Sequence, residues 1–212
     1  MSSKIKFIFF DMGKVLLEFD HQRMIAQVAE LVEKPVEEME QILFHPPHDL
    51  ENRFERGEFD EAQFHKAFCD VAQCDVDRKA LMLALSDIFW LNTPIVHLVS
   101  QLRGLNFPMA VLSNTCEAHW EFACQKFPVV GQLFTHRVLS YEEKSMKPDS
   151  KIYQSAIEFA VKAVGCQTGE IFFVDDKQEN VDAARDAGMQ SELFVSVTEL
   201  RKQLAAGGVP VF

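Results

Sequence analysis

FIFFDMGKVLLEFD, residues 7–20, opens as an apolar, aromatic run and changes character at one carboxylate, Asp11, whose second neighbour is Gly13. Taken from Ile5, the run IKFIFF sends almost nothing polar to water, which is the pattern of a strand covered on both faces in a parallel sheet. Runs of the same type recur at Met109–Leu112 and Ile171–Val174, with shorter ones at Val138–Leu139 and Leu193–Val195. Helical patterns lie between them. Thr93-Pro94 reads as a cap followed by a first-turn proline, and Ile95, Leu98, Val99 and Leu102 then share one face as far as Gly104. Asp149 caps a second helix with Ile152, Ala156, Phe159, Ala160 and Ala163 in register, and a third follows Asn180. Strand and helix in alternation predict an α/β protein with a Rossmann-like, three-layer core around a parallel sheet.

Residues 17–92 interrupt the alternation. They read as helices without a strand, inserted between the first and second sheet strands, so the expected division is a core of 1–16 and 93–212 and a helical cap of 17–92. Inside that block Asp60-Glu-Ala-Gln63 has the form of a capping box, and Phe64, Ala67, Phe68 and Val71 continue it as an apolar stripe. The tail AAGGVPVF is expected to fray or lie on the surface.

The 212 residues, 48% of them hydrophobic and 25% charged, suffice for one domain carrying an insertion. A formal charge of −11 with no basic run argues against nucleic acid as a partner. A start without a cleavable leader, and the lack of any long apolar segment, predict a soluble, cytoplasmic protein with no membrane partner. The five cysteines (Cys69, Cys74, Cys116, Cys124, Cys166) include no CxxC pair and read as reduced, buried thiols rather than a metal cluster.

Ligands of an open parallel sheet bind beyond the carboxyl ends of its strands, so the residues just after each apolar run carry the chemistry. These are Asp11-Met-Gly13, then Ser113-Asn114, then Asp175-Asp176, with Lys147-Pro148 ahead of the Asp149 helix. Three carboxylates at one sheet edge repel unless they share a cation, and hard oxygen ligands of this kind suit Mg²⁺. A serine hydroxyl, the amides of the turn after it and a lysine add donors for phosphate oxygens. The set suits phosphoryl transfer on a small phosphorylated metabolite. Lys144 competes with Lys147, which is preferred because Pro148 and the Asp149 cap follow it. His45-Pro-Pro-His48 reads as an extended loop on the cap surface rather than a metal site, and Arg53, Glu55 and Arg56 read first as a solvated turn and second as specificity contacts.

The four motifs, FIFFDMGKV, VLSN, Lys147–Asp149 (KPD) and FFVDD, in this order and strand context, resemble those of the haloacid dehalogenase-like (HAD) superfamily with a type I cap. LENRFERGEFDEAQF, residues 50–64, is further similar to the branch that includes bacterial α-D-glucose-1-phosphate phosphatase and the amino-terminal phosphatase domain of soluble epoxide hydrolases. The resemblance implies Asp11 as nucleophile and metal ligand, forming an aspartyl-phosphate. It implies Gly13 as a ligand through its backbone carbonyl, and Ser113 and Asn114 as the grip on the phosphoryl group. Lys147 would balance charge, and Asp175 and Asp176 would complete the metal site. Gly13 departs from the pattern, because most phosphatases of the superfamily carry a general acid/base aspartate there. Two alternatives stay open at this point: a metal-independent haloacid dehalogenase, which also lacks that aspartate, and a ligand-binding protein that has lost turnover.

Overall fold

In chain order the strands are β1 (Phe7–Phe10), β2 (Leu17–Phe19), β3 (Phe89–Leu91), β4 (Met109–Ser113), β5 (Arg137–Leu139), β6 (Ile171–Asp175) and β7 (Gln190–Leu193). The structure is a computed structural model describing residues 4–134 and 136–211. Five of the strands form one parallel sheet in the order β5-β4-β1-β6-β7, with the most apolar strand at its centre.

Side chains alternate across β1 into two separate cores. Ile8 and Phe10 join Val111 and Val174 beneath Ile95, Leu98 and Leu102 of the Thr93–Gly104 helix. Phe7 and Phe9 pack instead with Leu112 and Phe173 against Ile152, Tyr153, Ala156 and Ala160 of the Ser150–Val164 helix. Each large side chain buried this way contributes about 1.5–3 kcal/mol, so a strand without a polar face is held equally from both sides. This is the expected three-layer α/β arrangement.

Caps appear where the sequence places them, with one shift. Asp149 accepts from the Lys151 amide, and Asp60 and Gln63 close a complete capping box on the Glu61–Ala72 helix. The cap position of the Thr93–Gly104 helix falls on Asn92, one residue ahead of the expected Thr93, and the Asn92 side chain donates to the Val15 carbonyl rather than capping the helix.

Several expectations are corrected. The last strand is Gln190–Leu193 rather than Leu193–Val195; Val195 is 72% exposed, whereas Ser191 is buried and donates its hydroxyl to the Phe173 carbonyl. An edge strand needs only one covered face, so polar Gln190 and Glu192 are tolerated in it. The helix expected after Asn180 already begins at Gln178, and Asn180 points inward from its first turn. The 17–92 block does contain strands: β2 and β3 pair antiparallel at its entry and exit, Phe19 opposite Phe89. At three residues each, they are too short to show a period of two. His45–His48 is a turn rather than an extended loop, with the amides of His48 and Asp49 both bonded to the His45 carbonyl. The tail is docked as far as Val211. Gly207 accepts from the Ile5 amide, and Val209 is buried beside the first sheet strand's approach.

Candidate active site

The parallel register brings the carboxyl ends of β1, β4 and β6 together, because Phe10 lies opposite both Val111 and Val174. Asp11, Ser113 and Asp175 therefore meet at one edge, and a cavity of about 180 Å³ opens there, of a size for a small molecule. The cavity is lined on the sheet side by Asp11, Gly13, Ser113, Asn114, Lys147 and Asp176, and on the helical side by Glu51 and Glu55.

Asp11 Oδ1 accepts from the Met12 amide at 2.7 Å and faces Lys147 Nζ at 2.8 Å. Its Oδ2 has no hydrogen-bond partner among the described residues and is the oxygen left for the cavity. Burial pushes the Asp11 carboxyl up to about 7, against the pull of Lys147, and Asp175 and Asp176 add to the push. Burial works to lower the Lys147 ammonium, yet Asp11 and Asp175 outweigh it and hold its pKa above the ordinary value. Lys147 is thus a charged side chain clamped between two carboxylates, with Asp175 Oδ2 at 2.6 Å and the Leu112 carbonyl at 3.0 Å. Lys144 is elsewhere, donating to the Gly57 carbonyl.

Oxygens of Asp11, Asp175 and Asp176 lie within 4.8 Å of one another. Their roles differ. Asp175 Oδ1 already accepts from the Lys177 amide and from Asn180 Nδ2, so most of its lone pairs serve protein donors. Asp176 is half-buried on the cavity wall, its carboxyl raised first by burial and then by Asp175. This oxygen-only donor set, short of positive charge, fits a hard divalent cation such as Mg²⁺.

Asn114 lines the cavity, but both ends of its side-chain amide are engaged by Lys147. Its Oδ1 accepts from the Lys147 amide at 2.7 Å and its Nδ2 donates to the Lys147 carbonyl at 2.9 Å, so it braces the lysine. Ser113, 1% exposed, stays on the cavity wall.

Glu55 separates from its neighbours. Arg53 and Arg56 pair with Glu58 at the surface, and Arg53 lies over the Phe59 ring. Glu55 turns into the cavity, where burial raises its carboxyl to about 7; Lys177 pulls it down and Asp11 pushes it up. Its backbone carbonyl accepts from Ser140 Oγ, whose oxygen also receives the Thr115 amide, so the helical block is pinned to the sheet edge beside this side chain. From sequence Glu55 reads as part of a solvated turn, because nothing local distinguishes it from Glu58. Lys177, Glu51 and His119 do not stand out in the sequence at all; the one signal for Lys177 is its place directly after Asp175-Asp176.

Residues 5–188 match the family model of haloacid dehalogenase-like hydrolases. Among solved structures, the chain is similar to a HAD family enzyme of Bacteroides thetaiotaomicron, 26% identical, with a TM-score of 0.81 over 93% of this chain and 98% of that one. That enzyme in complex with magnesium and inorganic phosphate matches at 26% identity with a TM-score of 0.77, over 92% of this chain and 98% of that one. An L-2-haloacid dehalogenase of Xanthobacter autotrophicus shares the fold, at 17% identity and a TM-score of 0.61 over 96% of this chain and 83% of that one.

Proposed function

Since the chain belongs to the haloacid dehalogenase-like hydrolase family, we propose that it is a Mg²⁺-dependent phosphatase acting on a small phosphorylated metabolite through a phospho-Asp11 intermediate. The observation that carries this reading is the carboxylate trio of Asp11, Asp175 and Asp176 beside Lys147 in one cavity. A haloacid dehalogenase needs no cation and leaves the trio unexplained. The Bacteroides relative crystallised with magnesium and inorganic phosphate supports the same choice.

In this reading Asp11 Oδ2 attacks phosphorus, the ester oxygen leaves, and water then attacks phosphorus to release inorganic phosphate and free Asp11. Asp11, Asp176, the Gly13 carbonyl and the remaining Asp175 lone pair would hold Mg²⁺, which when bound would supply charge stabilisation for the phosphoryl oxygens. Ser113 and Lys147 hold the phosphoryl group, and Asn114 keeps Lys147 in place. Gly13 has no side chain to move a proton, and Glu55 does so in its stead. The Glu55 carboxyl, free of hydrogen bonds among the described residues, protonates the leaving oxygen and later accepts a proton from water. A carboxyl held near neutrality suits both steps. The 17–92 block serves as a cap that closes the site, and sugar phosphates, including sugar 1-phosphates, are the first substrates to try.

The test is a panel of phosphate esters assayed for inorganic phosphate with Mg²⁺ and with chelator, beside 2-haloacids assayed for halide. Phosphate release that needs Mg²⁺ and disappears in Asp11→Asn supports the reading. Halide release that survives chelation overturns it in favour of a dehalogenase, and no turnover on either panel favours a binding protein.

A further inference from the structure

A second group of potential ligands lies apart from the carboxylate trio, at the seam between the helical block and the sheet. Glu51, from the Leu50–Glu55 helix, meets Cys116 and His119 at the start of the Glu117–Lys126 helix, with one ligand atom of each within 4.8 Å of the others. All three are buried, Glu51 to 2% and His119 to 3% exposure. Both Glu51 oxygens and His119 Nε2 lack any hydrogen-bond partner among the described residues. Three orphaned polar atoms facing one another in the interior are expensive, at about 1–3 kcal/mol each, unless something outside the protein chain satisfies them.

The spacing suits a bound metal ion. Glu51 Oε1 and His119 Nε2 are 3.6 Å apart, too long for a hydrogen bond between them. Two donors bound to one ion at about 2.0–2.2 Å with a tetrahedral angle stand roughly this far apart. The Leu85 backbone acts on the His119 ring, and Nε2 is the nitrogen without a partner that lies next to Glu51 Oε1. Burial holds His119 low, at about 4, so the imidazole is neutral and able to ligate. Burial, with the charge of Glu51 beside it, drives the Cys116 thiol up, so its proton would leave only as an ion takes its place. A thiolate, a carboxylate and a neutral imidazole carry two negative charges together, and a divalent cation makes the buried set neutral. Sulfur and nitrogen donors disfavour Mg²⁺ and select a borderline ion such as Zn²⁺.

We propose that Glu51, Cys116 and His119 form a second metal site, for Zn²⁺ or a like ion, that ties the helical block to the sheet. Glu51 and His119 also line the catalytic cavity, so the fourth coordination position opens toward substrate or water. Sequence spacing could not show this site, because Glu51 lies more than sixty residues before its two partners and Cys116 looks like an ordinary buried thiol.

The experiment is independent of turnover. The chelator-stripped full chain is saturated with Mg²⁺ and titrated with Co²⁺, then with Zn²⁺. A near-ultraviolet thiolate-to-cobalt charge-transfer band is expected to saturate at one equivalent and to vanish as Zn²⁺ displaces Co²⁺. Cys116→Ser removes the band, Glu51→Gln and His119→Asn weaken binding at least about tenfold, and Asp11→Asn/Asp176→Asn keeps it. X-ray absorption of the Zn²⁺-loaded wild type needs no variant and is expected to show one sulfur with nitrogen and oxygen neighbours. No cobalt band, a band that survives in folded Cys116→Ser, or an all-oxygen zinc shell overturns the proposal; the first of these leaves Glu51 and His119 bridged by water or a shared proton.

Discussion

Gly13 is constrained by its neighbour, since a Cβ there would lie 2.8 Å from Cε1 of Phe19. That ring is itself packed, tilted on His21 and edge-on to Phe89, and Lys14 Nζ sits 4.6 Å over it. The place where a second aspartate would stand is therefore filled by an aromatic side chain. Gly13→Ala is expected to lower stability by about 1–3 kcal/mol in urea unfolding, and Phe19→Leu in the same chain to recover part of it as a non-additive coupling. A single variant as stable as wild type means the ring yields without loss. The displaced acid/base role predicts a second result. If Glu55 donates the proton, log kcat/KM varies only weakly with leaving-group pKa in wild type and steeply in Glu55→Gln, with a loss of about 10²–10⁴-fold on esters of poor leaving groups. Burial places the Glu55 carboxyl near 7, and an acid must be protonated to act, so wild-type kcat/KM falls as pH rises through about 7. Glu55→Gln is expected to lose that alkaline limb. Without a proton donor, as the glycine at position 13 alone suggests, the wild-type slope would be steep, and a steep wild-type line restores that view.

At the scale of elements, legibility followed burial. β1, β4 and β6 are covered on both faces, so their apolar runs announce them in the chain; β4 ends in a residue that lines the cavity, and β1 and β6 end one residue before one. β7 lies at an edge and β2 and β3 are three residues long, so neither a run nor a period marks them. Asp11, Ser113 and Asp176 could be read from strand ends, because topology alone delivers a strand end to the site, and Lys147 from the proline and helix cap that follow it. Glu55 could not, because its place depends on how a loop docks across the seam. Gly57 shows that docking: its φ is +68°, and a Cβ would lie 2.3 Å from the Tyr141 carbonyl oxygen, while its own carbonyl accepts from Lys144. Gly57→Ala meets both a left-handed backbone and a backbone oxygen that cannot move alone. It is expected to destabilise the protein by about 2 kcal/mol or more and to lower kcat/KM by displacing Glu55 two residues earlier. Unchanged kcat/KM in a folded Gly57→Ala protein would separate the seam from catalysis.

For the whole molecule the carboxylate trio is a source of instability that a bound cation would relieve. Asp11, Asp175 and Asp176 share the end of the central strands, with Lys147 clamped between Asp11 and Asp175 and Lys177 near Asp176, and burial together with mutual repulsion raises Asp11 and Asp176. On the proposed reading Mg²⁺ binds only the arrangement that folding creates, so its binding energy is expected to add directly to stability. At a concentration one hundred times Kd the gain is about 2.7 kcal/mol, which for a chain of this length raises Tm by roughly 5–10 °C. Asp176→Asn keeps the shape of the side chain, relieves the repulsion and discards a ligand charge. It is therefore expected to be at least as stable as wild type in chelator, and to gain much less from Mg²⁺. Asp175→Asn separates the two roles of the pair, since Asp175 also accepts from Lys147, Lys177 and Asn180. Its loss leaves Lys147 buried with one fewer counter-charge, and is expected to lower Tm in chelator as well as in Mg²⁺. Thermal unfolding of the three proteins with and without Mg²⁺ decides the matter. Equal shifts in wild type and Asp176→Asn place the cation elsewhere, and an Asp175→Asn protein that melts like wild type in chelator makes the lysine clamp dispensable for the fold.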